Sequence, residues 1–137
     1  MSTELLFSKI VIIGAGTMGR GIAQVCAMAG YTTVLNDISS DTLAQAKQQI
    51  ERNLQKGVER GKVSLETQEH CLANLSFSTE MIESIQEAEM VIEAVPENMA
   101  LKQKLLNTID EHTPEHCIIG TNTSSLSIAD LANSTSD

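Results

Sequence analysis

Long apolar runs are missing from this sequence, and with them any stretch of the ~18 residues that a membrane-spanning helix needs. Basic residues are scarce: nine Lys and Arg against eighteen Asp and Glu leave a formal charge of −9. A field of that sign repels polyanions and argues against nucleic acid or an anionic membrane surface as partner, while local dipoles can still hold one phosphorylated small molecule. The cysteines are few. Cys26, Cys71 and Cys117 are odd in number and too widely spaced for a zinc or redox motif, so no metal is expected. Cys26 and Cys117 sit in apolar segments, which predicts buried free thiols in a reducing, cytoplasmic setting. Met1 to Phe7 carries Glu4 and no basic cluster, so it does not read as a signal peptide.

What is present suits one soluble domain of 137 residues, with 42% hydrophobic residues in short runs. Lys9–Ile13 is a β-branched run ending at Gly14, the pattern of a strand buried on both faces. A helix is predicted from about Thr17 to Ala29, with Met18, Ile22, Val25 and Ala29 as its apolar face and Gly30 just past its end. Thr32 to Asn36 reads as a second strand. Ser39, Ser40 and Asp41 offer caps for a long helix with Leu43, Ala46, Ile50 and Leu54 on one face, its end weakened by Gly57 and Gly61. Ser64 can cap a shorter helix over Leu65 to Leu72.

The second half repeats the alternation. Leu75 to Ser78 is a strand, Met81 to Ala88 a short helix, and Met90 to Val95 a strand stopped by Pro96. Asn98 can cap a helix whose Leu101, Leu105 and Ile109 share a face. Cys117 to Thr121 is a fifth strand, followed by amphipathic turns from Leu126 to Ala132 and a polar tail. Strands alternating with helices predict an α/β fold with a mainly parallel sheet and helices on both faces.

Gly14-Ala15-Gly16-Thr17-Met18-Gly19 falls between the first strand and the first helix. That context makes a G-x-G-x-x-G sequence informative, because each glycine then has a task. Gly14 allows the tight turn, Gly16 has no side chain to block a pyrophosphate, and Gly19 lets helix and strand lie close. The N–H groups opening the helix, with the positive end of its dipole, then favour an anion. Asp37 follows the second strand, eighteen residues after Gly19, where a carboxylate can take the ribose hydroxyls of an adenosine. With no Arg directly after it, the carboxylate would repel a 2′-phosphate. The expectation is a doubly wound Rossmann-type domain that binds NAD in preference to NADP. As a structural residue, Asp37 would instead cap the second helix.

Ile12–Gly19, Gly21–Gln24, Val91-Ile-Glu-Ala-Val-Pro-Glu-Asn98 and Asn122-Thr-Ser-Ser-Leu-Ser-Ile128 together resemble the NAD-binding domain of the 3-hydroxyacyl-CoA dehydrogenases, a family that includes 3-hydroxybutyryl-CoA enzymes. The resemblance implies that Glu97 and Lys102 contact NAD near its nicotinamide half. It implies that Ser124 touches both the nicotinamide ribose and the substrate, and that Asn122 fixes the turn. Asn53 and Arg60 correspond approximately to CoA contacts, and Arg52 or Lys56 could substitute for them. Five of the nine basic residues (Lys47, Arg52, Lys56, Arg60, Lys62) fall in that region. Without the resemblance these residues read as surface charges, a cap and a solvated helix face.

The family's catalytic His–Glu pair corresponds to sequence beyond Asp137, so none of its members is expected in this stretch. His70, His112 and His116 match no catalytic position and read as surface or structural residues. Arg20 and Thr121 replace residues that are commonly small and serine, respectively. The resemblance implies the cofactor-binding part of an oxidoreductase of fatty acid metabolism that interconverts 3-hydroxyacyl-CoA and 3-oxoacyl-CoA, with homodimerisation through a helical C-terminal domain. Two alternatives stay open: a dehydrogenase of free hydroxy or sugar acids, and a non-catalytic NAD-binding module.

Overall fold

The computed structural model of the chain describes residues 9–95, 99–114 and 117–121, apart from the side chains of 99–102 and 121. The N-terminal stretch, the cap at Asn98, the turns from Leu126 to Ala132 and the polar tail lie outside the described residues. Strands β1 (Lys9–Ile13), β2 (Thr32–Asn36), β3 (Leu75–Ser78), β4 (Met90–Glu93) and β5 (Ile118–Thr121) form one sheet in the order β3-β2-β1-β4-β5. Every pairing is parallel. The chain starts at the middle strand, winds outward through β2 and β3, then crosses back to β4 on the other side of β1. The strand order reverses between β1 and β4, the position at which open α/β sheets bind ligands beyond their carboxyl ends.

Alternation along β1 assigns the two faces. Ile10 and Ile12 enter a core with helices α1 (Thr17–Met28), α2 (Ser40–Glu59) and α3 (Leu65–Asn74). Val11 and Ile13 enter a second core with α4 (Met81–Ile85) and α5 (Met99–His112). The sheet is therefore covered on both sides, as a doubly wound fold requires. Leu43, Ala46, Ile50 and Leu54 form the buried face of α2, as their spacing predicts. Ser39 Oγ accepts from Thr42 N at 3.1 Å and Ser64 Oγ from Thr67 N at 3.0 Å, capping α2 and α3. Gly30, at φ 102°, supplies the left-handed residue after α1.

Several expectations need correction. The buried face of α1 is Gly19, Ala23 and Ala27, whereas Met18 is 57% exposed, Val25 is 68% exposed and Ala29 is exposed. The cause is distance: a Cβ on Gly19 would collide with the carbonyl oxygen of Gly14, so α1 lies too close to the sheet for large side chains on that face. Of the expected face only Ile22 packs against the core, half-buried, while Met18 and Val25 are left outside. Helix α4 ends at Ile85, short of Ala88, and β4 ends at Glu93, where the chain turns out of the sheet. Cys71 is the buried thiol, in the core between α1, α2 and α3, while Cys26 and Cys117 are only half-buried.

Two glycines two residues apart, on opposite sides of α1, should respond in opposite directions. An added Cβ at Gly21 meets nothing within 4 Å, so Gly21→Ala should stabilise the domain by about 1 kcal/mol through helix propensity. Gly19→Ala should cost about 3 kcal/mol or abolish folding, because the helix must move off the strand. Urea unfolding of both variants checks this, and similar effects at the two positions would contradict the close approach.

Candidate functional site

The carboxyl ends of the central strands are tied together by backbone. Gly14 N donates to Asn36 O at 2.8 Å, Ala94 N to Ile13 O at 2.8 Å, and Asp37 N to Ser78 O at 3.2 Å. Asn36, 1% exposed, donates from Nδ2 to Ser78 O at 3.0 Å and locks β2 to β3 at the same end. Gly14 adopts φ 105°, and a Cβ there would stand 2.9 Å from the carbonyl carbon and oxygen of Ala94. The turn after β1 and the chain leaving β4 are thus in backbone contact across the reversal point.

Helix α1 opens from this turn. Gly16 is its N-cap residue, with φ −71° and no side-chain cap, whereas α2 and α3 each have a serine cap. Gly16, Thr17 and Met18 are exposed, and a Cβ on Gly16 would meet nothing within 4 Å. The opening turn of a helix, free of a capping side chain and lined by glycine, can receive an anion through its N–H groups and dipole. A dinucleotide pyrophosphate fits that description, and open space beside Gly16 is what its approach requires.

Asp37 is brought directly onto this turn. Its Oδ2 accepts from Ala15 N at 2.9 Å and its Oδ1 from Ser39 N at 2.9 Å. It does not cap α2, since Ser39 does. An ionised carboxylate has about four acceptor positions, so two such bonds fix its orientation and leave capacity for hydroxyl donors. The cradle and the carboxylate are therefore one unit, although twenty-two residues separate Ala15 from Asp37.

Other predicted residues stand elsewhere. Asn53 is exposed on α2, donating from Nδ2 to Gln24 Oε1 of α1 at 3.3 Å and accepting from Gln49 Nε2 at 3.0 Å. Arg60 is exposed at the C-cap of α2. At 1.5 Å per residue it lies about 30 Å along the helix from the end beside Asp37. Lys47, Arg52 and Lys56 are also exposed on α2. Lys102 belongs to the first turn of α5, after β4, and its side chain lies outside the described residues, as do Glu97, Asn122 and Ser124.

His70 is exposed on α3. His112 Nδ1 lies 2.8 Å from Thr108 O within the last turn of α5. His116 lies outside the described residues. Burial raises the pKa of all three thiols, opposed at Cys117 by hydrogen bonds with Thr113 and the Val91 backbone, so none is poised as a thiolate. Among the described residues no group of three or more His, Cys, Asp or Glu could hold a metal, and no helix is long and apolar enough to cross a membrane. A cavity of about 270 Å³ between α2, α3 and β3, lined by Ile50, Leu72 and Phe77, is separate from the glycine turn.

Of four buried polar residues among the described ones, Thr33, Asn36, Ser84 and Glu93, the two at strand ends bear on the site and escaped the sequence reading: Asn36, and Glu93, 0% exposed at the end of β4. Each carried a signal, a polar side chain at a position where the strand's alternation calls for an apolar one.

An all-parallel sheet with a glycine-lined, uncapped helix start at its reversal point and a carboxylate after β2 defines a dinucleotide-binding Rossmann domain. Residues 9–137 match the family described as the NAD binding domain of 3-hydroxyacyl-CoA dehydrogenase. The chain belongs to this family. It is 40% identical over 137 residues to the mitochondrial hydroxyacyl-coenzyme A dehydrogenase of Rattus norvegicus, an alignment covering 96% of this chain and 44% of that protein. It is 36% identical over 124 residues to the probable 3-hydroxybutyryl-CoA dehydrogenase of Bacillus subtilis, covering 90% and 43%. The crystal structure of (S)-3-hydroxybutyryl-CoA dehydrogenase from Ralstonia eutropha superposes with a TM-score of 0.89 at 38% identity, covering 95% of this chain and 46% of that one. The chain thus spans less than half the length of these relatives.

The tie between Asp37 and the glycine turn has a measurable consequence. Asp37→Ala leaves the N–H groups of Ala15 and Ser39 without their charged acceptor and should destabilise the free domain by about 2 kcal/mol. Amide hydrogen exchange should accelerate at Ala15 and Ser39 and hold steady in the β1 interior. Unchanged exchange at Ala15 would show that the bond does not persist in solution.

Proposed function

We propose that residues 1–137 form the cofactor-binding part of an enzyme interconverting 3-hydroxyacyl-CoA and 3-oxoacyl-CoA by hydride transfer. The observation that carries this reading is the uncapped start of α1 with Asp37 fixed beside it, in a chain whose family is an NAD-binding one. The backbone of Gly14, Ala15, Gly16, Thr17, Met18 and Gly19 holds the pyrophosphate. Asp37 takes the hydroxyls of the adenosine ribose and repels a 2′-phosphate. Glu97 and Lys102 act at the nicotinamide half, and Ser124 stands between the nicotinamide ribose and the substrate. These three roles are supported by the family match over residues 9–137.

NAD, when bound, supplies the hydride acceptor. This chain's residues bind and orient it, which is the share of catalysis that comes from placing reacting atoms. The CoA moiety is assigned to the exposed face of α2. There Arg60 suits a phosphate at the distal end of a long ligand, and Asn53 sits about ten angstroms closer along the axis, from the helical rise. The proton on the substrate hydroxyl is assigned to a base outside residues 1–137, since His70 is solvent-facing and His112 lies against a backbone carbonyl of its own helix. A cytoplasmic setting is supported by three free cysteines. Relatives named mitochondrial and glyoxysomal show that location varies among the proteins this chain resembles. A homodimer is proposed for the whole enzyme by resemblance.

Calorimetry of residues 1–137 should show NADH binding and much weaker NADPH binding. Gly16→Val should remain folded, at a cost of about 1 kcal/mol for a poorer N-cap, and lose NADH binding. With acetoacetyl-CoA and NADH, absorbance should show no turnover by this stretch, because a missing general base alone costs about 10²–10⁴-fold. Equal affinity for both cofactors, or normal NADH binding by Gly16→Val, would sink the cofactor assignment. Turnover by residues 1–137 would place the base among their own histidines.

A further inference from the structure

Strand β4 buries alternate residues, and the face that takes Val91 into the core with Ile13, Leu106 and Ile109 takes Glu93 two positions later. Glu93 is 0% exposed, and burying a carboxylate in such a place is costly unless hydrogen bonds repay it. An aliphatic residue would continue the face of β4 without that cost. Packing therefore does not explain the carboxylate.

What the carboxylate does is visible in the backbone that follows. Glu93 Oε2 accepts from Val95 N at 2.6 Å, so the side chain reaches forward and holds the chain as it leaves the sheet. Glu93 is in register with Ile13, the last residue of β1 before the glycine turn. Ala94 N donates to Ile13 O at 2.8 Å, and the Gly14 position lies against the carbonyl of Ala94. The backbone bond from Ala94 to Ile13 holds the exit against the pyrophosphate cradle, and Glu93 sets its direction just beyond that contact, at Val95.

We propose that Glu93 is a positioning residue for the nicotinamide half of the cofactor, fixing through the Val95 N–H how the chain leaves β4 at Ala94 and Val95 beside the crevice. The inference rests on the cofactor reading given above. Glu93 touches neither cofactor nor substrate in this account. It acts on the exit segment, and the adenosine–pyrophosphate half, held by the α1 turn and Asp37, does not depend on it.

The test uses residues 1–137 with two probes, NADH and ADP, the second having adenosine and pyrophosphate without the nicotinamide nucleoside. Glu93→Leu keeps bulk and suits the buried face, and because it leaves the Val95 N–H without its acceptor it should fold with a modestly lowered urea midpoint. It should weaken NADH binding by about tenfold or more while ADP affinity stays within about twofold, since misplacing a remote group costs the ligand portion it positions. Glu93→Gln retains an oxygen for the Val95 N–H and should recover most of the NADH affinity. Equal losses for NADH and ADP, no loss for either, or failure of Glu93→Leu to fold would each overturn the proposal. Failure of the unaltered chain to bind NADH would instead overturn the cofactor reading, so the two failures are distinguishable.

Discussion

The structure depends on how closely α1 can approach the turn after β1. At Gly19 the helix meets the Gly14 carbonyl with no room for a Cβ, and at Gly14 the turn meets the backbone leaving β4 in the same way. These two contacts bring three segments together at the reversal point of the sheet. They leave the opening of α1 exposed and without a capping side chain, aimed where strand order creates a crevice. A larger residue at either position would push the helix or the β4 exit outward and spoil the cradle before any ligand arrived.

Around that contact the polar groups form a frame. Asn36 joins β2 to β3, Asp37 joins the end of β2 to Ala15, and Glu93 joins β4 to the chain beyond it. All three lie just where their strands end. Hydrogen bonds to charged or buried groups at these positions stabilise modestly, on the order of 1–3 kcal/mol each, but they fix direction. Direction is what a binding turn needs, since its N–H groups must point at one place. The apolar cores on either side of the sheet supply stability without specifying the site.

Much of this was legible in the sequence. β1 announced itself as an apolar run before glycine, and α2 declared its buried face through Leu43, Ala46, Ile50 and Leu54 at helical spacing. The glycine turn and Asp37 were readable because their positions relative to a strand and a helix give each a physical task. The face of α1 was not. Periodicity of large apolar residues marks the core side of a helix that packs at ordinary distance, whereas α1 buries Gly19, Ala23 and Ala27 and turns Met18 and Val25 outward. Asp37 could be placed near the cofactor from spacing, but its bond to Ala15 joins residues that only the folded chain brings together. Glu93 hid inside a family signature whose later residue, Glu97, drew the functional reading.

The central claim is that one unit, the start of α1 with Asp37 attached, receives the cofactor. Backbone amide spectra of residues 1–137 titrated with NADH test it most directly. The account predicts that the largest shifts fall on Ala15 to Arg20, Asp37 and Ser39, with smaller ones at Ala94 and Val95. Shifts concentrated on α2, α3 and the cavity beside β3, with the glycine turn unmoved, would contradict it.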